Sequence, residues 1–123
     1  MMANCRDRLP TQDEIIWAAG FFDGEGNIYL SKLGVLELSV GQMVAAPLLL
    51  MRECWGGSIG APRKDGLLNW RVRGERTAEF ISDVWPYLRV KQQQIRKETA
   101  KWQPQWTKVR AARERMLQVM TAN

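Results

Sequence analysis

Ala18-Ala19-Gly20-Phe21-Phe22-Asp23-Gly24-Glu25-Gly26 is the stretch whose reading decides the fold. Ahead of it, Thr11-Gln12-Asp13-Glu14 has the form of a capping box: the Thr11 hydroxyl can accept from the Glu14 N–H while the Glu14 carboxylate reaches back. A helix therefore starts near Thr11. Ile15, Ala18, Ala19 and Phe22 fall at helical spacing on one face, and Ile16, Gly20 and Phe21 continue the apolar and small surface around the other side. Such a helix is expected to be buried nearly all round. Gly24-Glu25-Gly26 should stop it, since glycine tolerates the positive φ of a helix end, and Asn27-Ile28-Tyr29-Leu30-Ser31 then alternates with the period of a strand. Asp23 and Glu25 thus sit where a buried helix hands over to a strand.

An isolated Asp-Gly-Glu-Gly is most often a solvated turn. Here small residues precede the carboxylates and would let two helices meet backbone to backbone, bringing two copies of Glu25 together. Close carboxylates call for a divalent cation between them. An EF-hand is excluded, because counting from Asp23 the sixth position is Ile28 where glycine is needed and the twelfth is Gly34 where glutamate is needed.

The 123 residues fit one domain, with residues 1–10 a flexible polar lead and 11–123 the folded unit. No apolar run reaches the roughly 18–20 residues of a membrane span, and Met1 to Arg6 lacks the apolar segment of a secretory signal. A soluble protein of the cytoplasm, or of an organelle matrix, is expected, with no membrane partner. Cys5 and Cys54 have no metal-ligand spacing; Cys54 reads as core and Cys5 as a loose terminal thiol. The chain has no histidine, which removes histidine-based acid–base catalysis, Ser-His and Cys-His nucleophiles and the usual zinc sites. A formal charge of +5 is compatible with a polyanionic partner.

The alternation continues beyond the first strand. Leu36, Leu38 and Val40 point inward from a second strand, while Glu37, Ser39 and, past an irregularity at Gly41, Gln42 face outward or end it. Val44 to Trp55 forms a second helix closed by Gly56-Gly57. Ser58–Lys64 and Leu67–Arg73 flank the Asp65-Gly66 turn of a second hairpin, whose polar face carries Asn69, Arg71 and Arg73 with Arg63 and Lys64 nearby. A third helix spans Thr77 to Leu88 and breaks near Pro86. From Ile95 to Met120 the chain is basic, with a break around Pro104 and an amphipathic segment that combines Arg110, Arg113 and Arg115 with Val109, Met116, Leu117 and Met120. Most such segments lay their apolar stripe on their own domain; a phosphate-contacting tail is the sharper reading.

The nine-residue stretch resembles the signature motif of the LAGLIDADG homing endonucleases position for position, with Glu25 at the second acidic place and Gly26 at the closing glycine. The resemblance implies an α+β fold, αββαββα with a four-stranded antiparallel DNA-binding sheet and extra C-terminal helices. It also implies a single-motif chain acting as a homodimer, with Ala18, Ala19, Gly20, Phe22 and Asp23 at the interface between copies. Each copy would hold Mg²⁺ (or Mn²⁺ or Ca²⁺) through Glu25 and the carbonyl near Gly24. Lys91, in Leu88–Gln94, matches a basic residue beside the active site, and Gln42 a polar position at the end of the second strand; a further basic residue of some members would fall near Ala46, where this chain has none. Asn27, Tyr29, Ser31, Glu37, Ser39, Arg63, Lys64, Asn69, Arg71 and Arg73 would contact a long, near-palindromic duplex, because the family lays this sheet along the major groove. The implied activity is site-specific hydrolysis of both DNA strands, of the kind that moves introns or inteins. A non-cleaving DNA-binding regulator or intron-RNA maturase on the same scaffold is the alternative. An unrelated basic α+β module that binds RNA through its tail would give Glu25 no role.

Overall fold

The computed structural model describes residues 5–122. Helix α1 (Gln12–Glu25) runs into strand β1 (Gly26–Leu30), which turns into β2 (Leu36–Gln42); helix α2 (Ala45–Trp55) leads to a short β3 (Ser58–Ile59) and β4 (Leu68–Arg73). Helix α3 (Glu75–Val84) and a 3-10 turn (Trp85–Tyr87) follow, then α4 (Gln92–Ala100) and α5 (Thr107–Thr121). The four strands form one antiparallel sheet in the order β1-β2-β4-β3. The sequence-based architecture is the observed one.

One face of the sheet carries the core. Ile28, Leu36, Leu38, Val40, Trp70 and Val72 are buried beneath α1, α2 and α3, and Phe80 of α3 stands edge-on to Phe22, Trp55 and Trp70 at centroid distances of 5.4, 4.9 and 5.6 Å. Aromatic pairs in this geometry add to their area burial. Thr77 is fully buried, its hydroxyl 3.1 Å from the carbonyls of both Leu36 and Val72, so α3 is tied to the sheet where β2 begins and β4 ends. Trp70 donates from Nε1 to the Gly56 carbonyl at 2.8 Å. Gly57, with φ +89°, admits no side chain: a Cβ there would stand 2.4 Å from the Arg71 carbonyl oxygen. Thus Gly56-Gly57 both ends α2 and lets β3 close on β4.

Several expectations change in detail. Helix α1 does not end in a positive-φ glycine; its helical bonds run through Glu25, and Gly26 has φ −81° and ψ 160°, already strand-like. The glycine is required sterically instead, because a Cβ on Gly26 would lie 2.2 Å from Cδ1 of Phe22. Strand β2 has no irregularity at Gly41: Gly41 pairs with Asn69 and Gln42 with Leu68 in unbroken register. The second hairpin pairs only briefly, and residues 60–67 form a loop closed by the Arg63 N–H to the Leu67 carbonyl at 2.9 Å. Helix α3 starts two residues earlier than the pattern suggests, and Pro86 lies in the 3-10 turn.

The lead segment divides. Residues 1–4 lie outside the described residues. Beyond them, the Asp7 N–H donates to the Glu53 carbonyl at 2.8 Å, Arg6 pairs with Glu79 at 3.1 Å, and Arg8 grips Glu14 with two bonds of 2.7 and 2.6 Å while also pairing with Glu53. The capping box at Thr11 is formed in both directions. At the other end of the chain, Ala112, Met116 and Met120 of α5 are buried against α3, so the apolar stripe is spent within the domain. Arg113 donates to the Thr99 carbonyl at 3.3 Å, near the C-terminal end of α4, which leaves Arg110 and Arg115 as the exposed cations of that trio. Cys54 is buried and free, and burial pushes its thiol up to about 11; Cys5 is half-buried, 3.3 Å from Nη2 of Arg76.

Candidate nucleic-acid interface and metal centre

The end of α1 gathers most of the residues singled out for chemistry. Asp23 turns its carboxylate onto the chain entering α4, accepting from the N–H groups of Arg89, Val90 and Lys91 at 2.6, 3.0 and 3.0 Å. The Arg89 and Val90 N–H groups lie just ahead of α4, and the Lys91 N–H is at its N-cap, where the helix offers no internal partner and carries positive partial charge. Lys91 in turn donates from Nζ to the Asp23 carbonyl at 3.1 Å, placing a cation at the negative end of α1. The family resemblance puts Asp23 at an interface between copies; the structure shows it working inside one chain, joining α1 to α4. Two positions on, Glu25 is exposed and forms no ion pair or side-chain hydrogen bond among the described residues.

Register brings Gln42 to this end as well. Gly26, the residue after Glu25, pairs with Val40, and Gln42 lies two residues further along β2. Gln42 shares the parity of Leu36, Leu38 and Val40, so it leaves the sheet on the helix side, half-buried, with Oε1 accepting from the Met43 N–H at 3.1 Å. Ala46, the position of the further basic residue in some members, is exposed in the first turn of α2.

The outer face of α1 differs from expectation. Ala18, Ala19 and Phe22 are 0% exposed within the chain's own core and have no surface to offer a partner. Of the five interface residues expected, only Gly20 is freely exposed. The face left open holds Ile16, Trp17, Gly20 and Gly24, with Ile16 46% and Trp17 39% exposed, Trp17 stacked on Phe21 at 5.0 Å, and no atom near enough to touch a Cβ on either glycine. Helical spacing predicts an apolar helix but does not say which side the sheet will cover.

The solvent face of the sheet matches the alternation closely. Asn27, Ser39, Arg71 and Ser58 form one row across it, and Tyr29, Glu37 and Arg73 the next, with Gly41 and Asn69 paired toward the α1 end. Arg71 and Asn27 are exposed, while Arg73 donates from Nε to Glu37 at 2.7 Å. Ser31 is drawn into the turn, its hydroxyl accepting from the Val35 N–H at 3.1 Å. Arg63 and Lys64 are exposed on the 60–67 loop, Arg63 being 3.4 Å from Asp65. This face offers donors and acceptors suited to base edges and phosphates.

Among the described residues no three Asp, Glu, Cys or His side chains come together as a metal cluster. The donors at the end of α1 are nonetheless of the right chemistry for a hard cation: an exposed carboxylate without a cationic partner among the described residues, and the last-turn carbonyls of a helix. One chain supplies too few of them. No helix among the described residues is long and apolar enough to cross a membrane.

No protein-family model matches the sequence, and no curated protein does. Solved structures do resemble it. The homing endonuclease I-CvuI in complex with the I-CreI target, with Mg present and the DNA not cleaved, is 17% identical over 85% of this chain and 95% of its own, with a TM-score of 0.52. The same endonuclease in complex with its Sro1.3 target in the presence of Ca is 17% identical over 88% of this chain and 95% of its own, with a TM-score of 0.53. The helix leading into the sheet, the β1-β2-β4-β3 order and the helices behind it agree with that likeness: the chain has the fold of the LAGLIDADG homing endonucleases.

Proposed function

We propose that two copies of this chain form a site-specific, divalent-metal-dependent endonuclease that hydrolyses both strands of a long, near-palindromic DNA duplex. The observation that carries this reading is Glu25: an exposed carboxylate with no partner among the described residues, at the last residue of a helix whose outward face is apolar and holds two glycines. Pairing two chains through Ile16, Trp17, Gly20 and Gly24 buries that face and brings the two Glu25 carboxylates together. The DNA-bound I-CvuI structures, which share the fold, support the choice of partner.

In this reading Glu25 and the Gly24 carbonyl of each copy would hold a Mg²⁺ ion, which when bound would supply an activated water and neutralise charge on the phosphate. Lys91, held by Asp23, keeps its ammonium at the end of α1, where it orients the scissile phosphate and its water. Gln42 holds solvent at the same end. The rows of the sheet lie in the major groove, Arg71 being suited to guanine and Asn27 and Asn69 to adenine.

The test is cleavage of a randomised duplex library with Mg²⁺, with the cut ends sequenced, for wild type and Glu25→Gln. Wild type should cut a long near-palindromic site, and Glu25→Gln should bind that site while losing several kcal/mol of rate acceleration, on the order of a thousandfold or more. If neither cuts but both select the same sequence, the chain is a DNA reader, as a regulator would be. Selection of structured RNA alone would overturn the reading.

A further inference from the structure

We propose that the tip of the β1-β2 hairpin is a methyl-reading subsite, which recognises the 5-methyl group of a thymine at the outer end of each DNA half-site. The inference rests on the DNA-binding reading above. A hollow of about 370 Å³ opens on the outer face of the sheet between Tyr29, Ser31, Leu33, Val35, Glu37 and Arg73. Three of its six walls are apolar or aromatic side chains left in solvent: Leu33 is 92% exposed, Tyr29 51% and Val35 39%. Scattered exposed apolar residues need no explanation. These three converge on one concavity, on a face that is otherwise polar.

The charged walls do not make the hollow a phosphate site. Arg73 and Glu37 neutralise each other through their 2.7 Å bond, so a phosphate would meet an acidic oxygen as well as a cation. What fits is an apolar group presented at the rim of the major groove. In unmodified duplex DNA the thymine methyl is the one such group on a base edge, and apolar side chains are its natural contacts.

Position within the sheet supports this assignment. Outward-facing side chains on a strand are spaced by roughly 7 Å, about two base pairs of stacked duplex. From the Gly41–Asn69 pair the rows proceed through Asn27–Ser39–Arg71 and Tyr29–Glu37–Arg73 to the tip. Leu33 and Val35 therefore lie at the end of β1 opposite Glu25, where a bound duplex presents the outer bases of the half-site. Backbone bonds set the positions from which both side chains project, since the Ser31 N–H donates to the Val35 carbonyl at 2.9 Å and the Gly34 N–H to the Ser31 carbonyl at 3.0 Å.

The experiment starts from the duplex selected by the full-length protein, and replaces each thymine of the outer half-site singly by deoxyuridine, which removes only the methyl. Binding is measured without cleavage, in Ca²⁺, for wild type, Leu33→Ser and Val35→Thr. Wild type should bind one such deoxyuridine duplex about fourfold more weakly, the worth of one buried methyl-sized group, and both variants should bind the thymine and deoxyuridine duplexes equally. Leu33 is almost wholly exposed, so its replacement does not disturb the fold. The inference is overturned if deoxyuridine is as good as thymine at every outer position, if the selected site has no thymine there, or if both variants keep the discrimination. Loss of self-association in Leu33→Ser with discrimination intact would also overturn it, assigning the hollow to a contact between copies. Failure to select any duplex is a different result, since it removes the DNA-binding reading itself.

Discussion

The two faces of α1 are nearly indistinguishable in composition and opposite in use. Ala18, Ala19 and Phe22 lie at 0% exposure over the sheet, where Phe22 meets Phe80 and its ring occupies the space that a side chain on Gly26 would need. Ile16, Trp17, Gly20 and Gly24 present an apolar, small-residue surface to solvent. Burial within the chain explains the first set completely and the second not at all. An apolar face that its own domain leaves open is where a partner is to be sought, and here that face ends at Glu25.

The sharpest way to break the comparison is to change one residue on each side. Phe22→Ala removes a fully buried ring and should cost about 3–5 kcal/mol of folding stability, read as a large drop in the melting temperature at any protein concentration. Trp17→Glu gives up the stack on Phe21 and should cost the isolated chain only about 1–2 kcal/mol, while weakening self-association at least about tenfold, because it puts a charge into an apolar contact. Sedimentation across a concentration series separates the two. If Trp17→Glu lowers the stability of dilute protein as much as Phe22→Ala does, the outward face belongs to the core and the two-chain reading fails.

The fold is legible in the sequence because the sheet alternates in period two and its inward residues are large: Leu36, Leu38, Val40, Trp70 and Val72 form the core face, and Asn69, Arg71 and Arg73 the face opposite. The capping box fixes the start of α1 to the residue. What the chain does not spell out locally is which helix face a distant sheet will cover, so the motif alone puts Ala18 and Ala19 at the interface and gives Trp17 no part in it. The role of Asp23 is hidden for the same reason, since its three N–H partners lie more than 60 residues away. The Arg8 network is equally illegible. Its partners Glu14 and Glu53 are scattered in sequence and converge only when the start of α1 meets the C-terminal end of α2. Leu33 and Val35 flank Gly34 in the turn between β1 and β2, and two apolar residues there are the local signal that this turn carries a surface of its own.

The two ends of α1 supply the smallest and most specific contrast. At its end Glu25 is left without a partner among the described residues, whereas at its start Glu14 accepts two bonds from Arg8 and one from the Thr11 N–H, at 2.7, 2.6 and 2.8 Å. The Arg8 guanidinium, and after it the Thr11 N–H, hold the Glu14 carboxyl down at about 2. A carboxyl whose pKa is lower folded than unfolded stabilises the fold above the ordinary glutamate value near 4.3, and loses that contribution as pH falls toward the folded value. Glu14→Gln should therefore melt below wild type at pH 7, with the gap closing between about pH 4.5 and pH 2. Because the pair is solvent-facing, salt should shrink the gap at neutral pH. Melting curves from about pH 7 to about pH 2 at two ionic strengths decide it. A gap that stays constant with pH would mean that Glu14 acts through shape and capping alone, and that the start of α1 is no more fastened by charge than its end.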